Sequence, residues 1–179
     1  MKLLFASQRE DILESVKKQL PDIEIVVCNS LSEISNLKEY DLIALTDYIE
    51  GITQKIIDNN RVINVHQSLL PSFPQESALK DAYLSGVKVV GVSVHKVELV
   101  KNAVLSGKII AQYPVLIDNY THFDELETEI KQLEQQLYPL VIKSILEDKV
   151  FDIVDFLSTP NLAHGCSGGC GGCHNCGKN

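Results

Sequence analysis

The sequence predicts an α/β fold with a largely parallel sheet and helices on both faces. Short apolar runs alternate with helical patterns along most of the 179 residues, and this alternation is typical of βαβ units. The runs are rich in valine, isoleucine and leucine, as expected for buried strands. A hydrophobic content of 45% suits one soluble domain with a real core. Ligands of such sheets bind outside the carboxyl ends of the strands.

The first part of the chain supplies the elements in the order that this fold requires. Residues 2–6 predict a strand, and Ser7 can cap a helix that follows over residues 9–20. A β-branched run at residues 23–28 predicts a buried strand. A short helix or turn at 31–37 and a third strand at 41–45 complete this part.

The middle of the chain continues the alternation. Residues 52–58 predict a helix, which two asparagines end, and residues 62–65 predict a fourth strand. Residues 79–84 predict a helix that stops at the following glycine. Two further strands are predicted at residues 87–97 and 109–115.

A long amphipathic helix is predicted over residues 124–146. Its apolar side chains recur at steps of three and four, which favours docking on its own sheet over binding a partner helix. Those side chains are Leu126, Ile130, Leu133, Leu137, Val141 and Ile145. Residues 151–157 predict one more strand or an edge. We therefore expect an α/β domain over residues 1–157 and a glycine- and cysteine-rich tail over 158–179.

The charge and hydropathy patterns indicate which kinds of binding partner to expect. Lysine and arginine number 16 against 24 acidic residues, the net charge is −8, and the basic residues are scattered, so a nucleic-acid surface is not expected. No apolar stretch reaches the length of a membrane span or of a secretory signal. We expect a cytoplasmic monomer or homodimer that acts on small molecules, without membrane or nucleic-acid partners.

Asn64 and His66 mark the end of the fourth predicted strand. Side chains two apart on a strand project from the same face, so an amide and an imidazole would lie together. An amide can stabilise the oxyanion of an acyl-transfer intermediate, and a histidine can move a proton near neutral pH. The alternative is a strand-end histidine with a structural or surface role.

The segment that begins at Asn64 resembles the Asn-x-His-Pro-Ser-Leu-Leu-Pro motif of the 10-formyltetrahydrofolate-dependent formyltransferases. The likeness runs without gaps over residues 62–95, and residues 107–112 resemble the family's Gly-x-Ile-Ile-x-Gln. Within that family, the length and layout are most similar to the glycinamide ribonucleotide formyltransferases, over residues 1–147. The resemblance implies a Rossmann-like formyltransferase fold, a 10-formyltetrahydrofolate co-substrate and formyl transfer to an amine.

The resemblance also implies roles for individual residues. Asn64 would bind the formyl oxygen, and His66 would assist the movement of charge and protons. His95 matches a second family histidine, with a structural role in the neighbouring loop as an equal alternative. The remaining substrate- or folate-binding positions implied by the match are Leu45, Tyr48, Ile49, Ser68, Leu69, Leu70, Pro71 and Gly107.

Four positions depart from the family pattern. Leu105 occupies the position of a family aspartate, in a predicted loop over residues 96–106 where Glu98 and Asn102 are the polar substitutes. Leucine offers no hydrogen-bond acceptor in its side chain. Residues 7–11 replace a glycine-rich loop that cradles the substrate phosphate in the family, and they include two acids. Glycinamide ribonucleotide is therefore not expected as the substrate.

The other two departures are single substitutions in the motif loop. Gln67 replaces the proline that follows the motif histidine, and Gln75 replaces a glycine. The first change removes some stiffness from the loop and adds a polar side chain.

The tail predicts a metal site made of thiolates. Its cysteines follow the spacing C-x3-C-x2-C-x2-C: Cys166, Cys170, Cys173 and Cys176. Such a compact run favours an Fe–S cluster over zinc, with copper or another soft metal as a further alternative. A flexible tail without a fixed metal is the remaining possibility.

Three functions follow from these features. The first is an active formyltransferase with an unusual acceptor. The second is a catalytically degenerate formyltransferase-like module that works as a metal- or Fe–S-binding regulatory or interaction protein. The third is a transferase whose site is gated by a redox- or iron-sensing tail.

Overall fold

A six-stranded sheet forms the centre of the molecule in a computed structural model, which describes residues 1–46, 52–100 and 103–158. The strand order is β2-β1-β3-β4-β5-β6. The strands are β1 Lys2–Ala6, β2 Glu24–Cys28, β3 Leu42–Leu45, β4 Val62–His66, β5 Val89–Val100 and β6 Ala103–Leu116. The first four strands are parallel to one another. Strand β5 is antiparallel to both of its neighbours, β4 and β6. The predicted α/β class is confirmed.

Helices cover both faces of this sheet. They are α1 Glu10–Gln19, α2 Gln54–Asn59, α3 Ala78–Leu84, α4 Phe123–Leu146 and α5 Ile153–Leu157. The larger core cluster joins α1, α3 and α4 to one face. The second face packs against α2 and against two 3-10 turns at Leu31–Glu33 and Leu37–Glu39. The long helix α4 is fixed to the sheet because the Tyr138 hydroxyl donates to the carbonyl of Leu45 at 2.6 Å.

The prediction of a strand or edge at residues 151–157 is wrong. The segment forms helix α5, whose N-cap is Asp152 with its carboxylate accepting from the Val154 N–H at 2.8 Å. Its Phe156 packs edge-on against Tyr113 of β6, with ring centroids 5.7 Å apart. The run of apolar residues is a helical face rather than a strand, because Asp152 supplies the acceptor that begins a helix.

The predicted loop over residues 96–106 is also wrong. Strands β5 and β6 continue through it as a hairpin, and Val100 pairs with Ala103. β-Branched residues on both sides extend the ladder. At the start of α1 the N-cap is Arg9 rather than Ser7, and the Ser7 hydroxyl accepts the Arg9 N–H at 2.8 Å instead.

The carboxyl ends of β1, β3 and β4 lie along one edge of the sheet. The side chains of Ser7 and Thr46, which follow β1 and β3, are hydrogen-bonded to each other across that edge. His66 ends β4 beside them. Within the described ranges, no helix combines the length and apolarity needed to cross a membrane.

Candidate active site

Four polar side chains gather on one sheet face near the end of β4. Asn64 and His66 lie two apart on β4 and therefore share a face. On the antiparallel neighbour β5, His95 lies directly opposite Asn64, and Ser93 lies opposite His66. Directly opposed residues on antiparallel strands have adjacent side chains. The predicted pairing of an amide with an imidazole is thus present, with a second histidine beside it.

The amide of Asn64 has unused hydrogen-bonding capacity. Its Oδ1 atom is buried and has no hydrogen-bond partner among the described residues. A buried polar atom left unpaired costs about 1–3 kcal/mol. Such an atom inside a polar cluster indicates a group that is kept for a ligand.

His66 is oriented by the loop that follows it. Its Nε2 lies 3.0 Å from the carbonyl oxygen of Phe73. A carbonyl can only accept, so Nε2 carries the proton and Nδ1 is left as the acceptor in the neutral ring. Phe73 itself adopts a left-handed φ of 50°, which is uncommon for a residue other than glycine.

Polar side chains of β5 and β6 hold the loop at residues 68–73. The Ser93 hydroxyl donates to the Ser68 carbonyl at 2.6 Å and accepts the Leu70 N–H at 3.1 Å. Gln112, opposite Ser93, donates to the Leu70 carbonyl at 2.9 Å. Since most of these atoms are buried, the loop backbone has little freedom relative to the sheet.

His95 is buried, with 4% of its surface exposed. Its Nδ1 donates to the Lys96 carbonyl at 2.8 Å. Burial lowers the pKa of His95 below its ordinary value, and the nearby His66 lowers it further. His95 is therefore held neutral at neutral pH, in a fixed tautomer.

A second polar cluster, which we call the Arg9 cluster, consists of Arg9, Asp11, Gln67 and Glu134. The Arg9 guanidinium lies 2.8 Å from Asp11 and 3.1 Å from Glu134. The Gln67 amide donates to the same Glu134 oxygen at 2.9 Å. Sequence reasoning missed this cluster. The available signal was Glu134 itself, an acid next to core positions on the apolar stripe of α4.

The structure places the other predicted residues as follows. The Leu45 side chain is packed in the second core cluster with 1% exposure. Leu105 lies in β6 opposite Glu98. A Cβ at Gly107 would lie 2.5 Å from the Glu98 side chain, so Glu98 covers this glycine.

Several predicted site residues lie outside the described ranges. They are Tyr48, Ile49, Asn102 and the tail cysteines Cys166, Cys170, Cys173 and Cys176. Within the ranges that the structure covers, no group of three or more histidine, cysteine or acidic side chains is placed to hold a metal.

Fold and site together define an α/β protein with an amide–imidazole centre at the carboxyl end of a sheet strand. Residues 10–142 match the family model described as formyl transferase. The chain belongs to the formyl transferase family.

Two relatives from Bacillus subtilis (strain 168) illustrate the relationship. A phosphoribosylglycinamide formyltransferase is 38% identical over 119 residues, which cover 65% of this chain and 60% of the relative. A formyltetrahydrofolate deformylase is 30% identical over 131 residues, covering 72% of this chain and 43% of the relative. The chain therefore matches less than two thirds of the length of either relative.

Solved structures agree on the fold. Glycinamide ribonucleotide transformylase 1 from Geobacillus kaustophilus superposes with a TM-score of 0.66 at 24% identity, over 81% of this chain and 97% of that one. The phosphoribosylglycinamide formyltransferase from Campylobacter jejuni gives a TM-score of 0.62 at 25% identity, with the same coverage. The formyltransferase-type Rossmann-like fold expected from the sequence is confirmed.

Proposed function

We propose that the protein transfers a formyl group from a 10-formyltetrahydrofolate-like donor to a small-molecule amine in the cytoplasm. The observation that carries the proposal is the Asn64 amide group beside His66 and His95, whose buried Oδ1 has no hydrogen-bond partner among the described residues. Family membership supports the reaction type, because relatives with this domain are formyltransferases and a deformylase of formyltetrahydrofolate.

The proposed reaction exchanges one C–N bond for another. The acceptor amine attacks the formyl carbon, and the Nδ2–H of Asn64, not its Oδ1, donates a hydrogen bond to the oxyanion that forms. The Nδ1 atom of His66, left as an acceptor by the bond to Phe73, takes a proton from the attacking amine. The proton is then given to the folate nitrogen as its bond to the formyl carbon breaks. Neutral His95 fills the space beside Asn64 without adding a competing charge.

The test measures tetrahydrofolate release from 10-formyltetrahydrofolate with a panel of amines, using the full chain. Asn64→Ala should lower the rate about 100-fold or more, the usual loss for an oxyanion donor. His66→Ala should lower it by a similar factor. His122→Ala is the matched control, because His122 is exposed at the start of α4. Unchanged turnover in both site variants, or no binding of a reduced folate, would contradict the proposal.

A second candidate is a degenerate module whose working part is the tail. It is favoured by Leu105, which the sequence resemblance matches to a family aspartate, and by the four clustered cysteines. On this view the tail binds an Fe–S cluster or zinc, and the folate site has no turnover. Metal analysis and a visible spectrum of anaerobically purified protein test it, with Cys28→Ser as the control for a fourfold tail Cys→Ser variant. Formyl transfer that depends on Asn64 would exclude it.

A further inference from the structure

The Arg9 cluster lies next to the proposed reaction centre. Gln67 directly follows His66, and Arg9 follows the end of β1. Both therefore stand on the sheet edge where ligands of α/β folds bind. Glu134 reaches this edge from α4 and contacts both of them. An acceptor that approaches the formyl group along this edge meets these side chains.

The guanidinium of Arg9 already forms ion pairs with two carboxylates. Its Nε and one terminal nitrogen contact both carboxylate oxygens of Asp11, at 2.9 and 2.8 Å. The same terminal nitrogen contacts Glu134, whose side chain is 1% exposed. The bond to Asp11, and then the charge of Glu134, raise the pKa of Arg9. The pair with Arg9 lowers the pKa of Asp11 to about 2. One guanidinium thus faces two carboxyl groups.

The start of helix α1, at the same edge of the sheet, also disfavours the binding of an anion. The first turn of a helix usually attracts anions, because it has free N–H groups and the positive end of the helix dipole. Two acids, Glu10 and Asp11, occupy that turn. The Gln67 amide is bonded to Glu134. A phosphate would have to displace a carboxylate from Arg9, and the buried Glu134 would then lose its contact with the cation, which is strongly unfavourable.

We propose that the Arg9 cluster is a specificity determinant that rejects phosphorylated acceptors, so that the acceptor is an amine without a phosphate group. This inference rests on the proposed formyl transfer. A neutral or cationic amine meets no repulsion from the two carboxylates, whereas a phosphate of charge near −2 does.

A binding experiment separates this inference from catalysis. Ribose 5-phosphate and inorganic phosphate are titrated against the full chain by calorimetry, without folate. Wild type should show no binding in the millimolar range. The double variant Asp11→Asn/Glu134→Gln keeps the side-chain shapes but leaves Arg9 without a carboxylate partner. It should bind ribose 5-phosphate at least about tenfold more tightly, the value of one charge-assisted bond. Adding Arg9→Gln should abolish that gain.

Asp22→Asn/Asp58→Asn is the matched control, because it changes the net charge equally at the opposite sheet edge, before β2 and β4. Phosphate binding by wild type that Arg9→Gln removes would overturn the inference. A double variant without any gain, or with no more gain than the control, would overturn it as well. In the transfer assay, glucosamine should be accepted in preference to glucosamine 6-phosphate. If no acceptor reacts, the proposed function fails, while the binding result still decides the charge preference.

Discussion

At the scale of single residues, two histidines on one face of the sheet are hydrogen-bonded through different ring nitrogens. His66 is held through Nε2 and presents Nδ1, whereas His95 is held through Nδ1. Each tautomer is fixed by a backbone carbonyl that can only accept. The ring at the end of β4 is therefore left with Nδ1 as its acceptor atom, while the deeper ring stays neutral.

The lowered pKa of His95 predicts a specific loss of stability in acid. Below about pH 6.5 the unfolded chain binds a proton at this residue, whereas the folded chain does not until lower pH. The free energy of unfolding should therefore fall as pH drops from about 6.5 through the folded-state pKa. Urea unfolding between pH 7.5 and 5 measures this.

His95→Gln should flatten that pH dependence while lowering stability at pH 7.5. His122→Gln, at an exposed position, should leave the slope unchanged. A slope that is identical in wild type and in His95→Gln would contradict the prediction.

At the scale of elements, the motif loop and the β5–β6 hairpin form one unit. Ser93 and Gln112, paired across the hairpin, hold the loop backbone. Gly91 on the same strand allows Leu69 to lie against the sheet, because a Cβ there would meet the Tyr113 carbonyl oxygen at 2.1 Å and Leu69 at 2.8 Å. The geometry of His66 thus depends on a glycine far from it in sequence.

Gly91→Ala should cost about 1–3 kcal/mol of stability, the range for overpacking a core, and should lower turnover through the displaced loop. Gly107→Ala is the matched control. The three atoms nearest to its Cβ would all belong to the exposed and flexible side chain of Glu98, which can move away at little cost. Chemical denaturation of both variants measures the difference. Equal losses would show that the contact with the Tyr113 backbone does not determine the effect.

Local patterns explain which elements could be predicted. Asn64 and His66 were found because their spacing and the flanking apolar run are properties of a single strand. The hairpin was missed because its pairing through residues 96–106 depends on a partner strand. The Arg9 cluster was missed because Arg9 and Glu134 lie 125 residues apart, so no local periodicity connects them. Helix α5 differs from the predicted strand because the short apolar run at residues 151–157 fits either element by its periodicity, and the Asp152 cap decides for the helix.

At the scale of the whole molecule, helix α5 packs against the core of the sheet. Phe156 is 4% exposed and contacts Tyr113 and Phe151. From the low apolar content of residues 159–179, we propose that this segment adds nothing to the core. The domain division proposed from the sequence places its boundary here.

Removing residues 159–179 should therefore change the free energy of unfolding by less than about 0.5 kcal/mol. Removing residues 153–179 also deletes Phe156 and should cost about 3–5 kcal/mol, as for loss of a buried phenylalanine. Thermal and urea unfolding of both truncations compare the two. A large loss in the shorter deletion would contradict the independence of the tail.

The hydrogen bond from Gln67 to Glu134 belongs to a cluster that evolution or design could alter separately from the proposed reaction centre. The proposed reacting groups are positioned by strands and by the loop at residues 68–73, whereas the proposed selectivity is set by side chains from three separate segments. Acceptor preference can therefore drift, or be redesigned, through a few substitutions at Arg9, Gln67 and Glu134. Libraries confined to these positions would retarget the same chemistry to new amines without rebuilding the centre that performs it.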